Sequence, residues 1–99
     1  MPNQKILSLL GLCQRANRLL SGEEMSLDSI KKQRAKLVLL AKDASNNTQK
    51  RIRDKSSFYN VPVIDSFTSE QLSKAIGKNN RKVMVIMDTG FAKKIISLQ

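Results

Sequence analysis

Apolar residues near the start of the chain recur with the period of an amphipathic helix. Ile6, Leu9, Leu10 and Cys13 stand at positions i, i+3, i+4 and i+7, which places them on one face of an α-helix. The spacing predicts a helix from about residue 3 to about residue 15. Its apolar face is expected to turn towards the core.

Three further apolar runs predict β-strands. Residues 37–41 and residues 83–87 are unbroken apolar stretches, which are typical of central strands covered on both faces. A shorter run from Val61 to Ile64 contains Pro62, which has no amide hydrogen to donate to a neighbouring strand. We therefore expect the shorter strand near an edge of the sheet.

Two capping boxes predict the starts of further helices. Ser21 with Glu24, and Thr68 with Gln71, have the three-residue spacing in which both side chains bond free amides at a helix start. The first box predicts a helix that ends near residues 33–34, and the second predicts a helix that ends at Gly77. The residues expected to face inward are Leu27 and Ile30 on the first helix and Leu72, Ala75 and Ile76 on the second.

The end of the chain predicts one more helix after Asp88, with Phe91, Ile95 and Ile96 facing inward. Helical and strand patterns therefore alternate along the chain. This alternation favours an α/β sandwich, a small mixed sheet with helices on both faces. The chain shows no linker, internal repeat or low-complexity stretch, and at this length we expect one domain, residues 1–99.

The chain is strongly basic. Its 99 residues hold 18 Lys and Arg against 8 Asp and Glu, which gives a formal net charge of +10. The excess is present in both halves, so it indicates a basic domain without a separate basic arm. Because cations placed near phosphates release condensed counterions, nucleic acid is the first partner to expect.

The segment between the strands predicted at residues 37–41 and 61–64 predicts a helix with little contact to the core. From about Asp43 to about Lys55, only Ala44, Thr48 and Ile52 fall on one line. Cations cover the remaining faces of this helix: Lys50, Arg51, Arg53 and Lys55. A solvated outer helix is favoured over an RNA-contacting helix.

Several kinds of chemistry lack their usual residues. The sequence has no His, and Cys13 is its one cysteine, so an internal disulfide is excluded and catalysis and metal binding lack their commonest groups. We expect no enzyme activity, no cofactor or metal, and no small-molecule substrate. The segment Met1–Lys5 leads into no long apolar run, which argues against a signal peptide or membrane span. A reducing, cytoplasmic setting is expected.

Five blocks of sequence, spread over nearly the whole chain, resemble one known family. They are LLGLCQRA at 9–16, LSGEE at 20–24, AKLVLLAKDAS at 35–45, YNVPV at 59–63 and DTGFA at 88–92. In this order they are similar to the bacterial YlxQ branch of the kink-turn-binding ribosomal protein family. The resemblance implies a three-layer α/β/α sandwich with a small mixed four-stranded sheet, and no catalysis. It also implies recognition of a kink-turn, a sharply bent RNA helix built on tandem sheared G·A pairs.

The resemblance places the RNA site at the start of the second helix and in the loop before the last strand. A helix start offers free amides and partial positive charge to phosphate, and Gly22 lets the backbone approach closely. Facing it, residues 77–82 form a flexible loop with three cations and two amide side chains. An ordinary turn and a solvated loop are the alternatives. The candidate RNA-binding residues are Arg18, Ser21, Gly22, Glu23, Glu24, Met25, Asp28, Lys32, Lys42, Lys78, Asn79, Asn80 and Arg81.

The second helix departs from the family at three of these positions. Family members that bind kink-turns tightly carry Asn-Glu and then Lys, where this chain has Glu24, Met25 and Asp28. Asn both donates and accepts hydrogen bonds, whereas a Glu carboxylate only accepts and Met offers no strong hydrogen bond. A capping role explains Glu24 better than a base contact does. Asp28 is explained by the helix dipole and an i,i+4 pair with Lys32.

A structured RNA, ribosomal or regulatory, is therefore the expected partner of a protein that we expect to be monomeric. The rival hypothesis is a protein-interaction module of the same fold, with only weak and nonspecific RNA affinity. Phe58, Tyr59 and Phe67 are candidates for such an interaction surface. The alternative is that they are core or core-edge residues.

Overall fold

A computed structural model describes residues 3–99, so Met1 and Pro2 of the N-terminal segment lie outside the described residues. Residues 3–99 form five helices and four strands. The helices are α1 (Gln4–Arg15), α2 (Glu23–Lys31), α3 (Asn46–Phe58), α4 (Ser69–Ala75) and α5 (Thr89–Ser97). The strands are β1 (Leu19–Ser21), β2 (Leu37–Leu40), β3 (Val63–Ile64) and β4 (Val83–Ile86).

The four strands form one mixed sheet in the order β1-β4-β2-β3. Strand β4 pairs antiparallel with both β1 and β2, and β3 pairs parallel with β2. The predicted central positions of β2 and β4 are confirmed, because every residue of both strands is buried. The predicted edge position of β3 is also confirmed. Pro62 accepts a hydrogen bond through its carbonyl from the amide of Val38, a contact that needs no donor on the proline.

Helices cover both faces of this sheet. On one face α2 and α3 pack against each other, and α2 contacts β1 and β4 while α3 contacts β2. On the other face α1 packs against both α4 and α5. The three-layer α/β/α sandwich with a small mixed four-stranded sheet is therefore confirmed.

The apolar stripe predicted for α1 faces the core, with Leu9 partly buried against it, whereas the stripe predicted for α5 is wrong at one position. Ile6, Leu10 and Cys13 of α1 are buried. On α5 Ile95 is fully buried, whereas Ile96 is 39% exposed, so the inward position predicted for Ile96 is wrong. One residue turns an α-helix by about 100°, and this step carries Ile96 past the side of α5 that faces the core.

Only one of the two predicted capping boxes forms. Thr68 and Gln71 bond each other's backbone amides at the start of α4, as predicted. The capping box predicted at Ser21 and Glu24 does not form. Ser21 lies in β1 opposite Met84, and the N-cap of α2 is Gly22. The chain passes directly from strand to helix there, and no side chain among residues 3–99 caps α2.

Helix α3 begins later than its apolar line predicts. Its N-cap is Ser45, whose side chain accepts a hydrogen bond from the amide of Thr48, and the helix continues to Phe58. Ala44 is buried but precedes the helix, and the helical residues that reach the core are Ile52 and Ser56. Within residues 3–99, no helix is both long and apolar enough to span a membrane.

Candidate functional site

Three helices begin at the same end of the sheet. Strands β1, β2 and β3 run in one direction, and each leads into a helix: β1 into α2, β2 into α3 and β3 into α4. We call this the upper end of the sheet, where these strands finish and β4 begins. Helix starts carry free amides and partial positive charge, so this end of the fold favours negatively charged groups.

The turn into α2 lies beside the loop that precedes β4. The amide of Gly22 donates a hydrogen bond to the carbonyl of Val83 (2.8 Å). Gly22 has a φ of +104°, and a Cβ built on it would lie 3.6 Å from Nη1 of Arg81. The guanidinium of Arg81 therefore lies beside Gly22, the N-cap of α2. This placement agrees with the expectation that residues 77–82 face Gly22.

Ser73 anchors that loop to α4. Its hydroxyl accepts a hydrogen bond from the amide of Arg81 (2.8 Å) and donates one to the carbonyl of Arg81 (3.3 Å). Its carbonyl accepts from the amide of Lys78 (2.9 Å). The predicted flexible loop is thus held at two points by one residue, while the side chains of Lys78, Asn79 and Asn80 remain exposed. The loop and α4 together line an open cavity of about 670 Å³.

Arg51 of α3 binds the acidic residues at the start of α2. Its guanidinium pairs with the carboxylates of Glu23 and Glu24, the latter at 3.2 Å. The hydroxyl of Thr48 also donates to Glu23 (2.6 Å). The capping role predicted for Glu24 is therefore wrong, and its carboxylate is held by a cation from another helix. Helix α3 is only partly the solvated outer helix that the pattern predicted, since its Arg51 face contacts α2 while Lys50 is exposed.

A second polar cluster joins the segment between β2 and α3 to the start of α4. The carboxylate of Asp43 accepts hydrogen bonds from the amide (2.7 Å) and hydroxyl (2.6 Å) of Ser69. Lys82 lies 3.7 Å from the same carboxylate. The hydroxyl and then the amide of Ser69 are the main causes that lower the pKa of Asp43 from 3.8 to about 2. Asp43 therefore links the loop residue Lys82 to the segment between β2 and α3.

This cluster predicts a pH-dependent stability. A carboxylate whose pKa is lower in the folded state stabilises the fold above its ordinary pKa and loses that contribution as the pH falls through the folded value. We expect Asp43→Asn to lower the Tm at pH 7, with the difference from wild type closing between about pH 4 and about pH 2. Thermal unfolding followed at several pH values measures this. The control is Asp54→Asn, because Asp54 is exposed and forms no ion pair among residues 3–99. A Tm gap for Asp43→Asn that is the same at pH 7 and pH 2 would contradict the assignment.

Of the five remaining candidate residues, two lie at the upper end and two at the opposite end, and Asp28 lies on α2 between the two ends. Met25 is 54% exposed on the first turn of α2, and Lys42 follows β2, where its amide donates to the carbonyl of Phe67. Arg18 precedes β1 and Lys32 follows the last turn of α2, which places both at the opposite end of the sheet. The predicted pair of Asp28 with Lys32 is present at 3.1 Å.

The single thiol of the chain lies in the core. Cys13 is fully buried, and burial, with a smaller contribution from Asp88, raises its pKa to about 11. The thiol therefore stays protonated at neutral pH and is a weak nucleophile. Residues 3–99 bring together no group of three or more side chains of the His, Cys, Asp and Glu types that could hold a metal ion.

The fold and the upper end together define a class of protein: a small basic α/β/α sandwich in which an uncapped helix start faces a cationic loop. The chain belongs to the ribosomal protein L7Ae/L30e/S12e/Gadd45 family, whose model matches residues 4–97.

Comparison with individual proteins agrees with this family. The chain is 47% identical over 91 residues to the RNA-binding protein YlxQ of Enterococcus faecium, covering 92% of this chain and 87% of that protein. It is 47% identical over 90 residues to the RNA-binding protein YlxQ of Bacillus subtilis strain 168, covering 91% and 90%. A solved structure from Bacillus halodurans C, of a protein with unknown function, has a TM-score of 0.92 at 40% identity over 97% of each chain.

A more distant structure shares the fold. The Giardia lamblia 15.5kD RNA binding protein has a TM-score of 0.75 and 17% identity, with 100% of this chain and 94% of that chain covered. At this identity the likeness concerns the arrangement of helices and strands alone. The shared arrangement covers the whole α/β/α sandwich of this chain.

Proposed function

We propose that this protein is a non-catalytic RNA-binding protein that recognises kink-turn-type structured RNA at the upper end of its sheet. The observation that carries the proposal is the uncapped start of α2 at Gly22, with the guanidinium of Arg81 directly beside it. The names of the two relatives and the family support an RNA partner. We place the protein in the cytoplasm as a monomer that binds ribosomal or regulatory RNA.

The chemistry of the upper end suits a phosphate backbone. The start of α2 offers amides that no side chain caps within residues 3–99, and backbone amides at a helix start bind phosphate oxygens. Arg81 can form two parallel hydrogen bonds to one phosphate, while Lys78 acts as a point charge. Because Ser73 already holds the loop in place, little ordering is needed when RNA binds.

Shape selects the RNA in this proposal. A rigid surface with two contact points fits a sharply bent helix better than a straight one, and structured RNA is recognised largely by shape and backbone. Glu24 and Met25 are exposed at the start of α2, where side chains can reach base edges in a widened groove. Because Glu24 only accepts hydrogen bonds and Met25 forms no strong ones, the expected selectivity is modest.

The test compares two RNA duplexes that differ in one feature. One carries a standard kink-turn, and in the other Watson–Crick pairs replace the sheared G·A pairs. We expect binding to the kink-turn duplex to be detectable and tighter than binding to the straight duplex. Fluorescence anisotropy across a salt titration measures both affinities, because the electrostatic part of binding changes with salt.

Equal affinities for the two duplexes at every salt concentration would favour a protein-interaction module instead. Phe58 is the observation that supports this second function, since it is 75% exposed and packs edge-on against Tyr59 with the ring centres 4.9 Å apart. Phe67, the third aromatic candidate for that surface, is 2% exposed and belongs to the core.

A further inference from the structure

The end of the sheet opposite the proposed kink-turn site is also basic. We call it the lower end, where β1, β2 and β3 begin and β4 finishes. Besides Lys32, which pairs with Asp28, five exposed cations lie there, at the ends of α1 and α2 and in the turns into β1 and β2. They are Arg15, Arg18, Lys31, Arg34 and Lys36. The kink-turn site at the upper end makes no use of them.

These cations have few acidic neighbours. Within residues 3–99, none of the five forms an ion pair. Asp28 is paired with Lys32, and Asp88 accepts a hydrogen bond from the amide of Phe91 as the N-cap of α5. The lower end therefore presents positive charge that the described part of the chain leaves largely uncompensated.

Helix dipoles account for only some of this charge. Arg15 and Lys31 lie in the last turns of α1 and α2, where a cation offsets the partial negative charge of a helix end. Arg18, Arg34 and Lys36 lie beyond the helix ends, in the segments that lead into β1 and β2. Since the dipole effect fades within the last turn, it does not act on these three cations.

The sheet fixes the spacing of two of them. Leu19 and Leu37 both pair with Ile86 of β4, so the residues before them, Arg18 and Lys36, flank the end of β4 at the same level. Their backbones are two strand spacings apart, roughly 10 Å. Backbone hydrogen bonds hold both positions, since the carbonyl of Arg18 accepts from Met87 and the amide of Lys36 donates to Ile86.

An exposed aromatic residue adjoins this charge. The turn after α3 and the turn before β2 line one shallow cavity of about 240 Å³, which includes both Lys36 and Tyr59. Phe58 packs against Tyr59 and is 75% exposed. Cations that follow a backbone, combined with an exposed ring on which a base can stack, are typical of surfaces that bind single-stranded nucleic acid.

We propose that the lower end is a second RNA surface, which binds unpaired RNA through Arg18, Arg34 and Lys36 and stacks a base on Phe58. It differs from the kink-turn site in both place and ligand. The protein can then hold a bent helix at one end and a single strand at the other. The proposal of a second RNA surface can be tested, and can be wrong, independently of the kink-turn proposal.

The test uses a labelled 12-nucleotide oligouridine, which has no helical structure. We expect Lys78→Ala with Arg81→Ala to leave most of the oligouridine affinity in place. The lower-end variant, which carries only Arg18→Ala, Arg34→Ala and Lys36→Ala, should lower the affinity by at least about tenfold and reduce the salt slope by roughly 2, at about 0.7 per phosphate contact on a single strand. Phe58→Ala should weaken binding by about fivefold or more with no change in slope.

A matched control removes the same charge elsewhere. Lys50, Lys93 and Lys94 are exposed and form no ion pair among residues 3–99, so their triple replacement by Ala tests for a general charge effect. The proposal is overturned if this control lowers oligouridine affinity as much as the lower-end variant does. It is also overturned if wild type does not bind oligouridine, or if Phe58→Ala has no effect. The preference for the kink-turn duplex, measured separately on the lower-end variant, should be unchanged.

Discussion

Replacement of Lys78 and Arg81 together by Ala is expected to weaken binding to the kink-turn duplex roughly a hundredfold or more. Each charge-assisted hydrogen bond contributes about 1.5 to 3 kcal/mol, and a factor of ten in affinity corresponds to about 1.4 kcal/mol. The slope of log affinity against log salt should fall by roughly 1.4 to 1.8, at about 0.7 to 0.9 per phosphate contact. Discrimination between the kink-turn and straight duplexes should change little, since phosphate contacts position RNA and base contacts specify it.

The control for this variant is Lys93→Ala with Lys94→Ala. Both lysines are exposed on α5, in the helical layer opposite α2, and neither is in an ion pair among residues 3–99. Arg53 would be a poorer choice, because it pairs with Asp65 at 2.8 Å. If the α5 control lowers affinity and slope as much as the loop variant, long-range charge carries the binding and the loop is not the site.

A second large effect is expected from restoring the family residues on α2. Glu24→Asn, Met25→Glu and Asp28→Lys together should tighten kink-turn binding about tenfold or more, because one charge-assisted contact alone contributes about 1.5 kcal/mol or more. The introduced Asn side chain would both donate to and accept from a base edge. The introduced Lys side chain would attract phosphate where Asp28 repels it. Titration against both duplexes should show the gain mainly on the kink-turn.

The stability cost of this triple change should be small. Glu24 pairs with Arg51 and Asp28 pairs with Lys32, and all four side chains are at least half exposed. Exposed pairs of this kind contribute about 0 to 1 kcal/mol each. Asp54→Lys is the matched control, since it adds the same two units of charge on α3. Unchanged kink-turn affinity in the folded triple variant, or an equal gain in the Asp54→Lys control, would contradict the role of the α2 start.

The sequence predicts those helices and strands whose pattern is contained within one short segment of the chain. The unbroken apolar runs located β2 and β4, and Pro62 located the edge strand β3. Strand β1 spans only three residues, too few to show a period, and its direct passage into α2 is why the spacing of Ser21 and Glu24 was misleading. The apolar line places the start of α3 too early because Ala44 is buried without being helical.

At the upper end too, the sequence predicts only those features whose signal lies within a few neighbouring residues. A glycine before a helix and a basic loop before a strand are visible in the sequence, and the fold places Gly22 and Arg81 side by side. The contacts of Arg51 with Glu23 and of Asp43 with Ser69 join residues more than 25 positions apart. No local spacing encodes such pairs. For the same reason, the sequence places Arg18 in one site with Gly22 and Arg81, although the sheet separates them.

The short outer strands of the sheet have a consequence for how copies of this protein meet. A long exposed strand offers unpaired amides and carbonyls on which another chain can add a strand, and this is a route to aggregation. Here the two outer strands are β1, with three residues, and β3, with two, the latter directly after Pro62. Copies that carry a charge of +10 also repel one another. The chain is thereby protected against intermolecular β-pairing at the high local concentrations that binding to a shared polymer produces.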